Sequence, residues 1–467
     1  MMVVAFFVST EIAKAADVTF SGQIRTRWEA VEQFGGASTQ EATSTVYGGN
    51  NETDDLVFSS VRLAAKANIN ETTKAFIQLQ STRNWGETGT GTIATGAGEG
   101  NASGTVNDND SSVGVHQAYM EFKNFLNLPM GFDAKIGRQE VLLDGWRLFG
   151  NTIWTPGMQS HDMVRLDHKH DNVAVTLGYI LHAESGRSAD PADNNDQDTW
   201  FAYTNIKGVL GGQFSGYYIY WDDQTGTNQQ AHQFHTIGGR QAGKFAGFDY
   251  RAEFYYQTGG ENGGWGGRAA TGAGSGRDPA DFDMDAYMFG VRVGKTATSM
   301  ASKPSLTLFY DYLSGTSDND ARNGTVGSFN TIYDTGHKYY GLIDMFLGVG
   351  GGGAKGTQGM GLQDLAIKGK IKPMAGWTLK ADYHWFWTAE SVSANRQTNG
   401  LAAPTAGHDY TNLLGNELDI TAVTKMNANT KVMIGYSNFT TSTTMRTMKA
   451  LGANDINWGY VQFDVKF

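Results

Sequence analysis

The chain has 467 residues, no cysteine and a formal net charge of −11. That charge argues against nucleic acid as a partner, because phosphate backbones are bound by basic faces, and without disulfides any stability in an oxidising compartment must come from the sheet itself. No run approaches the roughly 20 apolar residues of a membrane-spanning helix, yet 61 Gly, only 7 Pro and 12% aromatics make a β composition rich in turns, undivided by any linker.

The chain opens on an apolar stretch, Met1 to Val8, followed by Ala13-Lys14-Ala15, a small-x-small cleavage pattern. Residues 1–15 are therefore expected to be a signal peptide that lacks the usual basic start, and 16–467 a single barrel domain. From Val18 onward the even positions read Val18, Phe20, Gly22, Ile24, Thr26 and Trp28, while the odd ones read Thr19, Ser21, Gln23, Arg25, Arg27 and Glu29. Side chains alternate across a strand, so one face is apolar and the other charged. The second strand sets Val57, Val61, Leu63 and Ile69 against Ser60, Arg62 and Lys66, and the third sets Ala75, Ile77 and Leu79 against Lys74, Gln78 and Gln80.

Further strands are expected near 113–125, 130–144, 161–169, 171–184, 198–208, 211–222, 232–243 and 246–257, then near 283–296, 304–315, 361–372, 376–390, 414–427, 429–442 and 456–467. The total is about 18, each long enough to cross a bilayer at a tilt. Short connections fall at about 70–72, 126–129, 169–171, 208–211, 243–246, 297–303, 372–376 and 427–429. Long ones fall at about 35–53, 86–112, 145–160, 185–197, 258–282, 316–360 and 391–413. This alternation is that of an outer-membrane β-barrel with short periplasmic turns, long outer loops and both termini in the periplasm. A soluble sandwich has no reason to keep it.

Aromatics of one parity, Trp377, Tyr383, Trp385 and Trp387, with Phe248, Tyr250, Phe254 and Tyr256, fit lipid-facing girdles. Acids cluster in the long loops, at Asp108 and Asp110, Asp190 to Asp198, and Asp318 and Asp320; they read as a solvated surface or as bridges through divalent cations. The last strand places Val461, Phe463, Val465 and Phe467 on one face, and a terminal strand ending in Phe resembles the assembly signal of bacterial outer-membrane proteins.

Three stretches carry a more specific likeness. The first runs from Ile136-Gly137-Arg138-Gln139-Glu140 through Asp144-Gly145-Trp146-Arg147-Leu148 to Ser160-His161-Asp162-Met163-Val164-Arg165-Leu166. The second is Thr335-Gly336-His337-Lys338-Tyr339-Tyr340-Gly341-Leu342-Ile343-Asp344, and the third Leu414-Gly415-Asn416-Glu417-Leu418-Asp419-Ile420 with Gly435-Tyr436-Ser437-Asn438-Phe439. Together they resemble the alginate-export family of outer-membrane porins, from about 130 to the C-terminus. The resemblance implies an 18-stranded barrel whose type members export an anionic polysaccharide through an arginine-lined lumen. It also implies solute contact by Arg138, Arg147 and Arg165, whose guanidinium forks match carboxylates.

Strand parity adds Arg25, Arg27, Arg62, Lys66 and Lys74 to the lumen early in the chain, and Arg292, Lys368, Lys370 and Lys380 later. Glu29, Asp249, Glu253, Asp382, Glu417 and Asp419 oppose them. A basic bias in the first and last strands, which meet when the barrel closes, would favour anions through its summed field. Against this stands a structural alternative, in which Arg138, Arg147 and Arg165 pair with Glu140, Asp144, Asp162 and Asp167. Arg138 shares the outward parity of Phe132, Ala134 and Ile136, so either a bulge resets the face or it lies above the membrane.

His161, His168, His170 and His182, and the pair His232 and His235, show no metal-site pattern, and no cofactor motif occurs. The reading is a passive channel for polar or anionic solutes. Its expected partners are outer-membrane lipid, lipopolysaccharide and the barrel-assembly machinery. Two other classes stay open: a barrel-based lipase or protease, for which His384 is the one candidate base, and a structural or adhesive barrel plugged by its own loops.

Overall fold

A computed structural model describes residues 17–32, 53–85, 113–183, 196–224, 232–261, 282–346, 356–357, 359–391, 411–449 and 455–467. The expected signal segment and the loop acids Asp108, Asp110, Asp190 and Asp193 lie outside them. The described residues form β1 (Asp17–Glu32), β2 (Thr53–Asn68), β3 (Thr73–Asn84), β4 (Gly114–Phe122), β5 (Asp133–Gln139), β6 (His161–His170), β7 (Val173–Ala183), β8 (Gln197–Val209), β9 (Gly212–Asp223) and β10 (His232–Phe245). The wall continues through β11 (Phe248–Glu261), β12 (Phe282–Thr296), β13 (Ser305–Leu313), β15 (Leu362–Ile371), β16 (Trp377–Trp387), β17 (Leu413–Lys425), β18 (Thr430–Thr441) and β19 (Ile456–Lys466). A two-residue strand, β14 (Thr325–Val326), pairs parallel to β12 and is not part of the wall count.

The wall is thus an 18-stranded antiparallel barrel. β1 pairs with β2 on one side and β19 on the other, Gln23 opposite Lys466 through to Glu32 opposite Asn457. Closure leaves no unpaired edge, which a sheet in hydrocarbon requires. All eighteen expected strands are present, and two long connections the sequence reading passed over, at 224–231 and 442–455, complete the alternation.

The alternation inverts a soluble core. On β1, Phe20 is 79% exposed and Trp28 40%, whereas Arg25 is 4% and Arg27 2% exposed. Lipid is the solvent of the apolar face, and the lumen holds the charges. Halfway up, however, the inner face changes character. Near the outer ends of the strands, Ile180, Phe201, Trp221, Phe234, Phe386 and Phe439 point inward and are buried in an apolar cluster. A charged inner face along the whole strand was the expectation; the outer half departs from it because polypeptide, not water, fills that half.

That polypeptide is the long connection 140–160 and part of the connection 314–361. They meet at a parallel bridge between Phe149 and Tyr333. Tyr333 N–H donates to Leu148 O at 3.1 Å, Gly150 N–H to Tyr333 O at 2.7 Å and Thr335 N–H to Trp146 O at 3.2 Å. Phe149, Phe329, Tyr340 and Phe346 from these loops are almost wholly buried against the wall aromatics. Each such side chain contributes roughly 1.5–3 kcal/mol by leaving water, so the two loops form one packed body inside the barrel.

Asp320, in one of the acidic loop clusters, is accounted for locally. Its carboxylate and Ser317 make a reciprocal capping box on the helix Asp318–Asn323.

The lumen cavity and the inner loops that roof it

Four acid-centred contacts fix the inner loops to the wall. Glu140 accepts from Asn151 Nδ2 at 2.8 Å and faces His116 Nε2 at 2.9 Å and Arg62 at 3.5 Å. Burial opposes its ionisation, but His116, Arg62 and Asn151 hold its carboxyl below the ordinary range. Asp144 accepts from the hydroxyls of Tyr217 (2.6 Å) and Tyr203 (3.1 Å) and from Gln213 (3.0 Å). Arg147 is paired with Glu253 at 3.0 Å and with Asp311, and donates to Tyr340 Oη at 2.6 Å. Glu417 Oε1 accepts two backbone N–H groups, Leu342 at 2.6 Å and Ile343 at 2.8 Å. Gly341, with φ of 85°, lies flat on that carboxylate, and a Cβ there would overlap it.

The three sequence stretches that carried the family likeness therefore converge. Arg147 of the first reaches Tyr340 of the second, and Glu417 of the third holds Leu342 and Ile343. Their shared work is to hold the inner loops in place.

Beneath the loops lies a cavity of about 520 Å³. Its roof includes Trp146, Trp154, His337, Lys338 and Leu342, and its walls come from β1, β2 and β15 to β19. Seven basic side chains line it, Arg25, Arg62, Lys338, Lys368, Lys380, Lys431 and Lys466, against four acids, Glu140, Asp382, Asp419 and Asp464. Trp154 stacks on His337 at 3.8 Å between ring centroids, and the Arg27 guanidinium lies 3.5 Å from the Trp154 centroid. Lys338 sits 4.3 Å over Trp146. Partial burial, together with Arg251, Arg292, Arg147 and Arg240, lowers the Lys338 ammonium to about 8.

The expected site residues divide into groups. Arg25, Arg62, Lys368 and Lys380 line the cavity. Arg25 also donates to Thr155 O at 2.7 Å and to Ile153 O, and Arg27 donates to Trp154 O at 3.0 Å while pairing with Glu29. Arg27 thus supports the loop from behind. Lys66, Lys370 and Arg165, the last paired with Asp167 at 2.8 Å, stand at the periplasmic mouth. Arg292 lies beside Arg251, its register partner. Phe467 continues the outward parity and its ring covers Gly22, where any side chain would collide with it.

Two placements correct the sequence reading. Arg138 is outside the lumen: no bulge resets β5, and the side chain makes a two-pronged pair with Asp162, at 2.9 and 2.6 Å, on the outer surface. Arg147 is inside but only 2% exposed, its guanidinium consumed by two carboxylates and a phenol. The structural alternative gave the partner of Arg138, Asp162, but not those of Arg147, which are Glu253 and Asp311.

Arg240 and Arg251, on the inward parity of β10 and β11, were overlooked although the alternation Phe248, Tyr250, Phe254, Tyr256 implies them. Lys338 had no readable signal, because its place depends on how a loop folds back. Among the described residues no three His, Asp or Glu side chains converge as a metal ion requires. His161 packs edge to face against both His182 and Tyr333. His384 is held by Asp364 at 2.7 Å through Nδ1, and its Nε2 faces Lys368 Nζ at 3.1 Å.

A family model described as alginate export matches residues 37–457. The chain belongs to the alginate-export family. Solved outer-membrane porin structures share its fold. Acinetobacter baumannii OccAB1 matches with a TM-score of 0.55 at 12% identity, over 98% of this chain and 99% of that one. Pseudomonas aeruginosa OpdL gives 0.55 at 8% identity, covering 97% and 99%, and P. aeruginosa OccK8 (OprE) gives 0.52 at 11%, covering 97% and 98%. No curated protein matches the sequence significantly. Family and barrel together make this member of the alginate-export family an outer-membrane channel.

Proposed function

We propose that the channel passes anionic solutes, with acidic polysaccharide chains of the alginate class as the leading candidate. The observation that carries this is the lumen cavity, where seven basic side chains face four acidic ones in a protein of net charge −11. A surplus of fixed positive charge between low-dielectric walls lowers the entry cost of an anion and raises that of a cation. Arg25, Arg62, Lys368 and Lys380 serve as solute-facing groups, Lys66, Lys370 and Arg165 as groups at the mouth, and Arg292 as a second lumen contact.

In the same reading Phe467 and its seat on Gly22 form the signal handed to the barrel-assembly machinery, and lipopolysaccharide packs against the outer aromatic belt. The Asp364–His384–Lys368 contact is a support of the wall.

Reversal potential in planar bilayers under a salt gradient tests the proposal. Anion selectivity that falls when Lys380, Lys431 and Lys466 are changed to Gln supports it. Cation selectivity, or selectivity indifferent to those changes, overturns it. A barrel that carries no current at all would instead be one plugged by its own loops.

A further inference from the structure

The lysines are distributed along the barrel axis in one direction. The sequence has 20 lysines, and 16 of them stand at the ends of strands that meet the short connections or in those connections themselves. Of the other four, Lys338 is in an inner loop, Lys355 and Lys449 are in long connections, and Lys14 precedes the barrel. Among the described strand residues, the opposite ends carry no lysine and instead hold Asp198, Asp222, Asp223, Asp283 and Asp285.

Parity turns that bias into a ring. Lys66, Lys74, Lys135, Lys169, Lys207 and Lys244 take the inward parity of β2, β3, β5, β6, β8 and β10. Lys370 and Lys425 do the same on β15 and β17, and Lys368, Lys380, Lys431 and Lys466 of the cavity wall extend the ring, which β11, β12 and β13 interrupt with no inward lysine. With Arg165 these make thirteen inward cations at the periplasmic end. The inward acids at that level are seven: Asp17, Glu121, Asp133, Asp167, Asp249, Asp382 and Asp464. A protein that is acidic as a whole is therefore basic at one mouth.

Where a member of the ring is exposed, being lysine gains the fold little. Lys244, paired with Asp249 at 3.1 Å, still has 78% of its side chain exposed, and exposed pairs of this kind are worth about 0–1 kcal/mol. The arrangement does act at a distance. At 0.1 M salt the Debye length is about 10 Å, so the fields of neighbouring lysines around the mouth overlap. The ring is also continuous with the cavity through Lys380, Lys431 and Lys466.

We infer that the periplasmic mouth is a capture ring for linear polyanions, so that the channel takes up a polycarboxylate from the periplasmic side in preference to the outer side. The inference rests on the anion-channel reading and adds sidedness to it. Successive carboxylates of one chain engage successive lysines, so the second and later contacts form at high effective concentration. A single small anion gains only the summed field. At the outer mouth the described strand ends offer the same chain no lysine, and Asp223 takes the inward parity there.

The test is current block by an oligogalacturonate of about ten residues in planar bilayers. The probe is added to either side, and barrel orientation is assigned by one-sided proteolysis of the long loops. At 0.1 M salt, block from the periplasmic side is expected at a concentration at least ten-fold lower than from the outer side. The difference should vanish at 1 M salt, where the Debye length shrinks to about 3 Å. Changing Lys169, Lys207, Lys244 and Lys425 to Gln should reduce the difference three-fold or more; open-channel current at 1 M salt reports that the variant has folded. Equal block from both sides, or sidedness that survives high salt, overturns the capture ring, and neither result needs the variant. Reversal potential with chloride separates the two levels: an anion-selective pore without sided block refutes the ring alone, and a cation-selective pore refutes the anion reading beneath it.

Discussion

Changing Glu417 to Ala should release the roof of the lumen cavity without opening the barrel. The carboxylate is fully buried and accepts the Leu342 and Ile343 N–H groups at 2.6 and 2.8 Å through a single oxygen. Alanine leaves two inner-loop donors without that acceptor, at about 1–3 kcal/mol each when buried and less where cavity water replaces it. A net loss of about 2–4 kcal/mol raises local opening of the segment by roughly 30- to 1000-fold, since each 1.4 kcal/mol is a factor of ten. Glu417→Gln keeps a carbonyl in place and should restore most of the contact. Gly341→Ala attacks the same contact from the loop side, through its φ of 85° and the missing space for a Cβ. Hydrogen exchange by mass spectrometry on folded protein reads the 342–343 amides directly, and single-channel conductance reads the consequence, a larger and noisier pore. Exchange at those amides that stays at the wild-type rate in Glu417→Ala would refute the reasoning. So would equal acceleration in the Gln variant, because the acceptor would then not be what holds the loop.

Other contacts give further expectations. Arg147→Ala leaves Glu253 and Asp311 buried with their shared cation gone, a loss of about 3–5 kcal/mol; the denaturation midpoint should fall and the segment 327–346 should become protease-sensitive, while Arg138→Ala, on the outer surface, should shift the midpoint little. Because the Lys338 ammonium titrates near 8, it is charged at pH 7 and largely neutral at pH 9. Anion preference should therefore fall as pH rises through that interval, and a Lys338→Gln variant should start lower and lose the step, as read from reversal potentials. Trp154→Ala removes an aromatic that bridges His337 and Arg27; conductance should rise, and an unchanged value would mean that Trp154 does not narrow the path. Gly22→Val displaces the Phe467 ring. The yield of heat-resistant folded barrel on gels should fall, as it should for Phe467→Ala.

The wall was legible because a strand has period two and lipid tolerates only one face. Val18, Phe20, Ile24 and Trp28 against Arg25, Arg27 and Glu29 already state which side is which, and the spacing of turns states the direction of each strand. The same alternation marked Arg25, Arg62, Lys368 and Lys380 as lumen-facing, and all four line the cavity. It read Arg138 as outward too; the family likeness then pulled that residue toward the solute, and the pair with Asp162 shows parity was the better guide. Arg147 was misjudged for a different reason. It lies in a long connection, where no period applies, and its partners Glu253, Asp311 and Tyr340 are 106, 164 and 193 residues away.

What the sequence determined by itself is the barrel: eighteen strands, their facing and their order, all of which follow from local alternation repeated under one membrane constraint. What only the tertiary structure decided is how much of the bore is filled. The apolar inward residues of the outer half, Ile180, Phe201, Trp221, Phe386 and Phe439, make no sense against water, and they acquire partners only when two distant loops fold back upon them. Contacts between loop and wall depend on packing across hundreds of residues rather than on any repeat, so the cavity, its roof and the carboxylates that hold it appear only in three dimensions.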